Sequence, residues 1–221
     1  MNTRLEIIRK KLHQLIETDT EFKIFGSNEP WNGHRYQLNP TLSEEGLSNF
    51  EAYMKITLPD EYRAYLSTIS DGGAGPFYGL YSLNEAIDIF DLPEDSTQQE
   101  YVNCFAKFPI TNEEAVLYIK NLFSLNNGRK IYFDRDDYPE HVPFLGSYTI
   151  DRGRGVMYLS QYGCGGYYVL VVRGDCYGQV WYRQEGYLAP LCDSNGTIFS
   201  FFDWYEYWLD VSLQKLNTLL K

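Results

Sequence analysis

Three histidines, four cysteines and thirty carboxylates are the side chains from which this 221-residue chain could build a reactive centre. Asp134-Arg135-Asp136-Asp137 has the D-x-D spacing with which hard oxygen ligands hold a divalent cation. Arg135 stands between those carboxylates, however, and no Gly or closing Glu of a calcium loop follows. A charged solvent loop is the leading reading, and a contact surface that includes Tyr138 is the next. Arg152-Gly153-Arg154-Gly155 is a small basic turn with no helix N-terminus after it to help hold a phosphate, so it reads as a hairpin loop. Cys164 lies among Gly163, Gly165 and Gly166, but no nearby His or cationic cluster would lower its pKa. His13, His34 and His141 lack the flanking residues of a general base. The chain has no G-x-S-x-G, H-E-x-x-H or G-x-x-x-x-G-K-[ST], and no G-x-G-x-x-G opening a helix after a strand. These residues give no catalytic constellation, no metal site and no cofactor.

The cysteines Cys104, Cys164, Cys176 and Cys192 are separated by 60, 12 and 16 residues, which matches no zinc pattern. Reduced thiols in a cytoplasmic protein follow, with a Cys164–Cys176 pair across a hairpin as the alternative. The net charge of −11 repels phosphate backbones and anionic lipid, which speaks against nucleic-acid or membrane binding. The same field speeds encounter with a basic protein. Residues 1–16 carry a net of +3, leaving −14 on the remainder, and the acidic stretch 84–101 contains no Lys or Arg. The first residues, MNTRLEIIRKKLHQLI, lack the uninterrupted apolar stretch of a signal peptide, and the longest apolar run, Tyr167–Val172, is too short to span a bilayer.

The elements that would position these groups follow from periodicity. Leu5, Ile8, Leu12 and Leu15 recur at spacings of 3 and 4, predicting an amphipathic helix over 3–17. Residues 18–40 lose periodicity and read as a linker. Ser43 caps a helix to about Lys55, and Pro59 opens another that carries Tyr62, Tyr65, Leu66 and Ile69 inward until Gly72-Gly73. A strand over 77–82, a short helix capped by Asn84 over 85–90 and a surface loop over 91–101 come next. Thr111 or Asn112 starts a helix to about Leu125. Strands are expected at 131–133, 143–146, 156–162, 167–173 and 179–183. The YYVLVV run is apolar on both faces, as a central covered strand requires. A wide apolar stripe then marks a closing helix from Ser200 to Leu220. The fold class is α+β, with a mainly antiparallel sheet packed against N- and C-terminal helices. Two parts are expected: residues 1–39, a helix and linker, and a domain over 40–221.

The ordered motifs resemble those of the SMI1/KNR4 (SUKH) family. Leu58-Pro59-Asp60-Glu61-Tyr62-Arg63-Ala64-Tyr65-Leu66 runs into Asp71-Gly72-Gly73 and Gly75-Pro76, followed by Tyr78-Gly79-Leu80. Pro143-Phe144-Leu145-Gly146, the YYVLVV strand, Gly174 with Gly178, Val180 and Trp181, and the helix Phe202-Asp203-Trp204-Tyr205-Glu206-Tyr207-Trp208-Leu209 continue the likeness. It covers about residues 40–212. Within these motifs Pro59, Tyr62, Gly72, Gly73, Gly174, Gly178, Trp181 and Trp208 read as structural.

The resemblance implies a domain without catalytic machinery. It further implies a bacterial immunity protein that occludes a cognate polymorphic toxin, often a nuclease, with a regulatory or scaffold interaction module as the alternative. Monomer or weak homo-oligomer is the expected state. The long 84–141 segment is individual to this chain and is where a specific partner would be read. The candidate contacts are therefore Asp88, Asp91, Glu94 and Asp95, then Asp134, Asp136, Asp137 and Tyr138.

Overall fold

A computed structural model describes residues 1–28, 33–90, 92–93, 95–125, 154–163, 165–184 and 187–219. Helix α1 (Asn2–Thr18) buries Leu5, Ile8, Leu12 and Leu15, the four residues whose spacing predicts it. Helix α2 (Glu44–Met54) begins at Ser43, whose hydroxyl accepts a hydrogen bond from the Gly46 N–H. Helix α3 (Asp60–Thr68) starts directly after Pro59 and turns Tyr62, Tyr65 and Leu66 inward. Helices α4 (Leu83–Asp88), α5 (Gln98–Cys104) and α6 (Asn112–Leu125) follow, and α7 (Phe201–Leu219) closes the chain.

Between α6 and α7 lies a four-stranded antiparallel sheet in the order β1-β2-β3-β4. Its strands are β1 (Val156–Gly163), β2 (Gly166–Val171), β3 (Val180–Gln184) and β4 (Tyr187–Pro190). In β2, Val169, Leu170 and Val171 are fully buried, as two apolar faces demand of an inner strand. Val169 pairs with Trp181 of β3, which pairs in turn with Pro190 of β4. Trp181 is fully buried, edge-on to Phe108 with ring centroids 5.1 Å apart. Among the described residues, the sheet and helices α1, α2, α3, α4 and α7 share one principal hydrophobic core, while Tyr118, Ile119 and Leu122 of α6 form a smaller cluster with Ala189 and Cys192.

A seam joins the two ends of the chain. Helix α1 packs along α7. Arg4 donates to Glu61, Asp203 and Glu206, while Lys11 pairs with Glu206 and Asp210. Beneath these ion pairs, the Tyr65 hydroxyl donates to the Tyr205 hydroxyl at 3.1 Å, which donates to the Ala74 carbonyl at 2.8 Å. The turn after α3 needs glycine: Gly73 has φ +94°, and a Cβ there would lie 2.3 Å from the Gln37 carbonyl oxygen.

Three local expectations are corrected. Residues 77–82 form no strand; Leu80 makes only single bridges to Gly73 and Ser160. Phe77 (φ +55°) and Gly79 (φ +97°) bend the backbone out of the extended region, so no ladder can propagate. Helix α4 is capped by Ser82 rather than Asn84, through a reciprocal capping box with Glu85. The 91–101 segment is not all loop: Thr97 and Glu100 form a second capping box and start α5. Strand β4 lies beyond those expected, and the expected strands at 131–133 and 143–146 fall outside the described residues.

Candidate partner-binding surface

Of the reactive histidines and cysteines, His13, His34, Cys104, Cys176 and Cys192 are described, and His141 and Cys164 lie outside the described residues. Among the described residues no group of three or more His, Cys, Asp or Glu is arranged to hold a metal ion. His34 is buried, with a pKa lowered to about 4 because burial disfavours the imidazolium, although Asp19 pulls the other way. His13 is exposed beside Glu17 on α1. Cys104, Cys176 and Cys192 are free thiols. Burial, then the charges of Asp175 and Glu114, push the Cys176 thiol up to about 11, and burial with Asp193 pushes Cys192 up to about 12. These two thiols stay protonated at neutral pH, the opposite of what a nucleophile needs.

The acidic candidates divide. Asp88 is exposed at the C-terminal end of α4 and Asp95 is exposed before α5. No cation pairs with either among the described residues. Asp91, Glu94, Asp134, Asp136, Asp137 and Tyr138 lie outside the described residues. Of the motif residues, Pro59 starts α3, and Tyr62 and Trp181 are buried at 1% and 0% exposure. Gly72, Gly174 and Gly178 take φ +90°, +124° and +84°, and Trp208 lies on the buried face of α7.

The structure assembles a second acidic group that no stretch of sequence displays. The β2–β3 loop sits against the link between α2 and α3: the Tyr177 hydroxyl donates to the Thr57 carbonyl at 3.2 Å, and Arg173 donates to the Lys55 carbonyl at 3.1 Å. Burial, then the nearby charges of Asp60 and Glu51, raise the Tyr177 pKa. On one side of the loop α6 begins, where Glu114 caps Thr111 and Gln179 bonds Asn112. On the other, Gln98 of α5 donates to the Tyr53 carbonyl at 2.7 Å and brings the end of the acidic segment beside α2. The exposed carboxylates of this face are Asp60, Glu100, Glu113 and Glu114, with Asp175 tied to Lys107.

Two large rings are exposed on the elements around this loop, Tyr53 on α2 at 47% and Tyr177 on the loop itself at 44% exposure. Exposed tyrosines supply broad, stiff contact area with a polar tip, the composition of energetic centres in protein interfaces. The five carboxylates outnumber the exposed cations Lys55, Lys107 and Arg173 beside them, an excess whose sign attracts a cationic surface. Sequence reasoning missed this grouping because Tyr53, Asp60, Glu100, Glu113 and Tyr177 span more than half the chain. The amphipathic outward positions of α2 and α6 were its only legible sign.

No helix among the described residues is long and apolar enough to cross a membrane. The SMI1/KNR4 (SUKH-1) family model matches residues 41–200, a span from just before α2 to the residue before α7. No curated protein and no solved structure matches the chain.

Proposed function

The chain belongs to the SMI1/KNR4 (SUKH-1) family, and from that premise we propose that it is an immunity protein that neutralises a cognate toxin by covering its working surface. Family membership makes it an immunity-protein-like or interaction module directed at a protein partner. The finer reading, a basic toxin such as a nuclease met in the cytoplasm, rests on charge. The observation that carries it is the tyrosine-bearing acidic face around the β2–β3 loop. A face of this kind speeds capture of a basic protein and then holds it through apolar contact. Asp88 and Asp95 extend the candidate contacts, as do the acidic residues of 91–94 and 134–138.

The direct test is to produce a toxin encoded beside this chain's gene together with the chain, and to measure survival and toxin activity. Rescue with loss of toxin activity in the purified complex supports neutralisation. A stable complex in which the partner keeps full activity would replace it with the scaffold reading. Failure of the neighbouring toxin to bind at all would remove the toxin assignment.

A further inference from the structure

A cavity of about 330 Å³ lies between the loop after α1, the Pro76-Phe77 turn, the sheet and one flank of α7. Phe25, Phe77, Tyr168, Trp204 and Trp208 give it aromatic walls. The walls are braced: the loop meets the turn so closely that a Cβ on Gly26 would overlap the Phe77 carbonyl oxygen. A preformed apolar hollow with few polar groups is the usual form of a small-molecule site.

The polar groups are ordered along α7. Trp204 and Trp208 are buried, Ser212 follows Trp208 by one turn, and Lys215 stands one turn further on, exposed at the mouth. Ser212 is only 3% exposed, and its hydroxyl makes no hydrogen bond among the described residues. That oxygen is not sealed as the Trp208 nitrogen is, so it keeps accessible surface where Ser212 borders the cavity. Lys215 likewise pairs with no carboxylate among the described residues. On a chain of net charge −11, it is the only charged residue among the described ones lining this cavity. Beside low-dielectric walls one uncompensated ammonium sets the sign of what is attracted. An ammonium and a hydroxyl one helical turn apart are two donors awaiting acceptors, and a carboxylate offers an oxygen to each. From Trp208 to Lys215 the helix rises about 10 Å, which matches a two-ring aromatic acid.

We propose that this cavity binds a small aromatic carboxylate, its rings among the aromatic walls and its carboxylate accepting from the Ser212 hydroxyl and the Lys215 ammonium. This goes beyond the toxin reading and does not depend on it, since the cavity and the acidic face are built from different residues.

The test uses the full chain, titrated by calorimetry at neutral pH with 2-naphthoate and with 2-naphthamide, which has the same shape without the charge. 2-Naphthoate is expected to bind about tenfold more tightly, the discrimination of one charge-assisted hydrogen bond. Lys215→Met should bring 2-naphthoate to the affinity of 2-naphthamide and leave 2-naphthamide unchanged. Ser212→Ala should weaken both compounds about fivefold, because the amide oxygen also accepts from the hydroxyl. Lys215 is exposed, so its replacement should leave folding intact; should it not, the comparison of the two ligands on the unaltered chain decides alone. Equal affinities, no binding of either compound, or 2-naphthoate binding unmoved by Lys215→Met or by Ser212→Ala would overturn the proposal.

Discussion

Tyrosine is used in two opposed ways in this molecule. Under the α1–α7 seam, Tyr62, Tyr65 and Tyr205 are sealed from water at 0–1% exposure and pack against Phe201, Tyr65 edge-on and Tyr205 stacked. Around the β2–β3 loop, Tyr53 and Tyr177 stand half out of the surface among carboxylates. A buried ring contributes apolar area and shape to folding. An exposed one contributes little to stability until a partner covers it. The seam and core should therefore answer to measurements of folding, and the loop face to measurements of association.

The largest effect is expected at the core end of that contrast. Trp181→Ala empties the space between β2, β4 and Phe108, and truncations of this kind cost about 3–5 kcal/mol. Urea unfolding should show the unfolding free energy falling by that amount, read from the lowered midpoint, or the chain failing to fold. A loss below about 1 kcal/mol would mean that the sheet does not depend on this ring.

Acid should reach the same region. His34 has a folded pKa of about 4 against 6.5 for the ordinary ring, chiefly through burial. Its contribution to stability is complete above pH 6.5, where the ring is neutral folded or unfolded. As pH falls from there toward 4, the unfolded chain takes up the proton first and stability declines by about 3 kcal/mol in total. Asp203 adds to the decline at lower pH. Burial works to raise its pKa, but the Ser200 N–H, Arg4 and the Ser200 hydroxyl outweigh it and hold the value below 3.8. Its stabilisation is thus present above about pH 3.8 and lost as pH falls through the folded value. Urea midpoints at pH 7, 5.5 and 4.5 test the first step, and His34→Gln should flatten it. A flat wild-type profile would show that the imidazole is not held neutral.

A smaller loss, about 1–3 kcal/mol, is expected of Gly73→Ala. The residue is held at φ +94° and its new methyl would press on the Gln37 carbonyl oxygen. Differential scanning calorimetry should show a lower Tm with the fold retained. An unchanged Tm would require residues 37–38 to move aside freely, which the Ala74 N–H to Gln37 hydrogen bond at 2.7 Å opposes.

These regions also differ in how far they could be read beforehand. The seam was legible because its information is local: Leu5, Ile8, Leu12 and Leu15 repeat at helical spacing, and so do Phe202, Tyr205 and Leu209. The Ser82/Glu85 and Thr97/Glu100 boxes carried an equally local S/T-x-x-E signal, yet the neighbouring Asn84 and the density of acidic residues drew the reading away from them. Strand β4 is four residues long and ends in Pro190, too short for an alternation to show. The loop face was not legible at all. Its carboxylates are Asp60 on α3, Glu100 on α5 and the Glu113-Glu114 pair on α6, and only folding brings these helices around the β2–β3 loop. A search for charge runs finds 84–101, which reaches this face only through Glu100, and the remaining carboxylates of the face form no long acidic run.

The smallest effect on stability, and the one that most sharpens the contrast, belongs to Tyr53→Ala. The side chain is nearly half exposed, and the hydrogen bond that ties Tyr53 to Gln98 uses the backbone carbonyl, not the ring. Removing the ring should change unfolding free energy by less than about 0.5 kcal/mol. If the loop face receives the partner, the same change should weaken the complex by about 2 kcal/mol, roughly thirtyfold in Kd. Neutralising Asp60, Glu113 and Glu114 to their amides should act differently. Those charges lie at the rim of the rings, so association should slow and lose much of its salt dependence while dissociation changes little. Surface plasmon resonance at two salt concentrations separates the two behaviours. Dissociation unmoved by Tyr53→Ala, with salt dependence also unmoved by the amides, would shift recognition to Asp88 and Asp95 or to the acidic residues of 134–138.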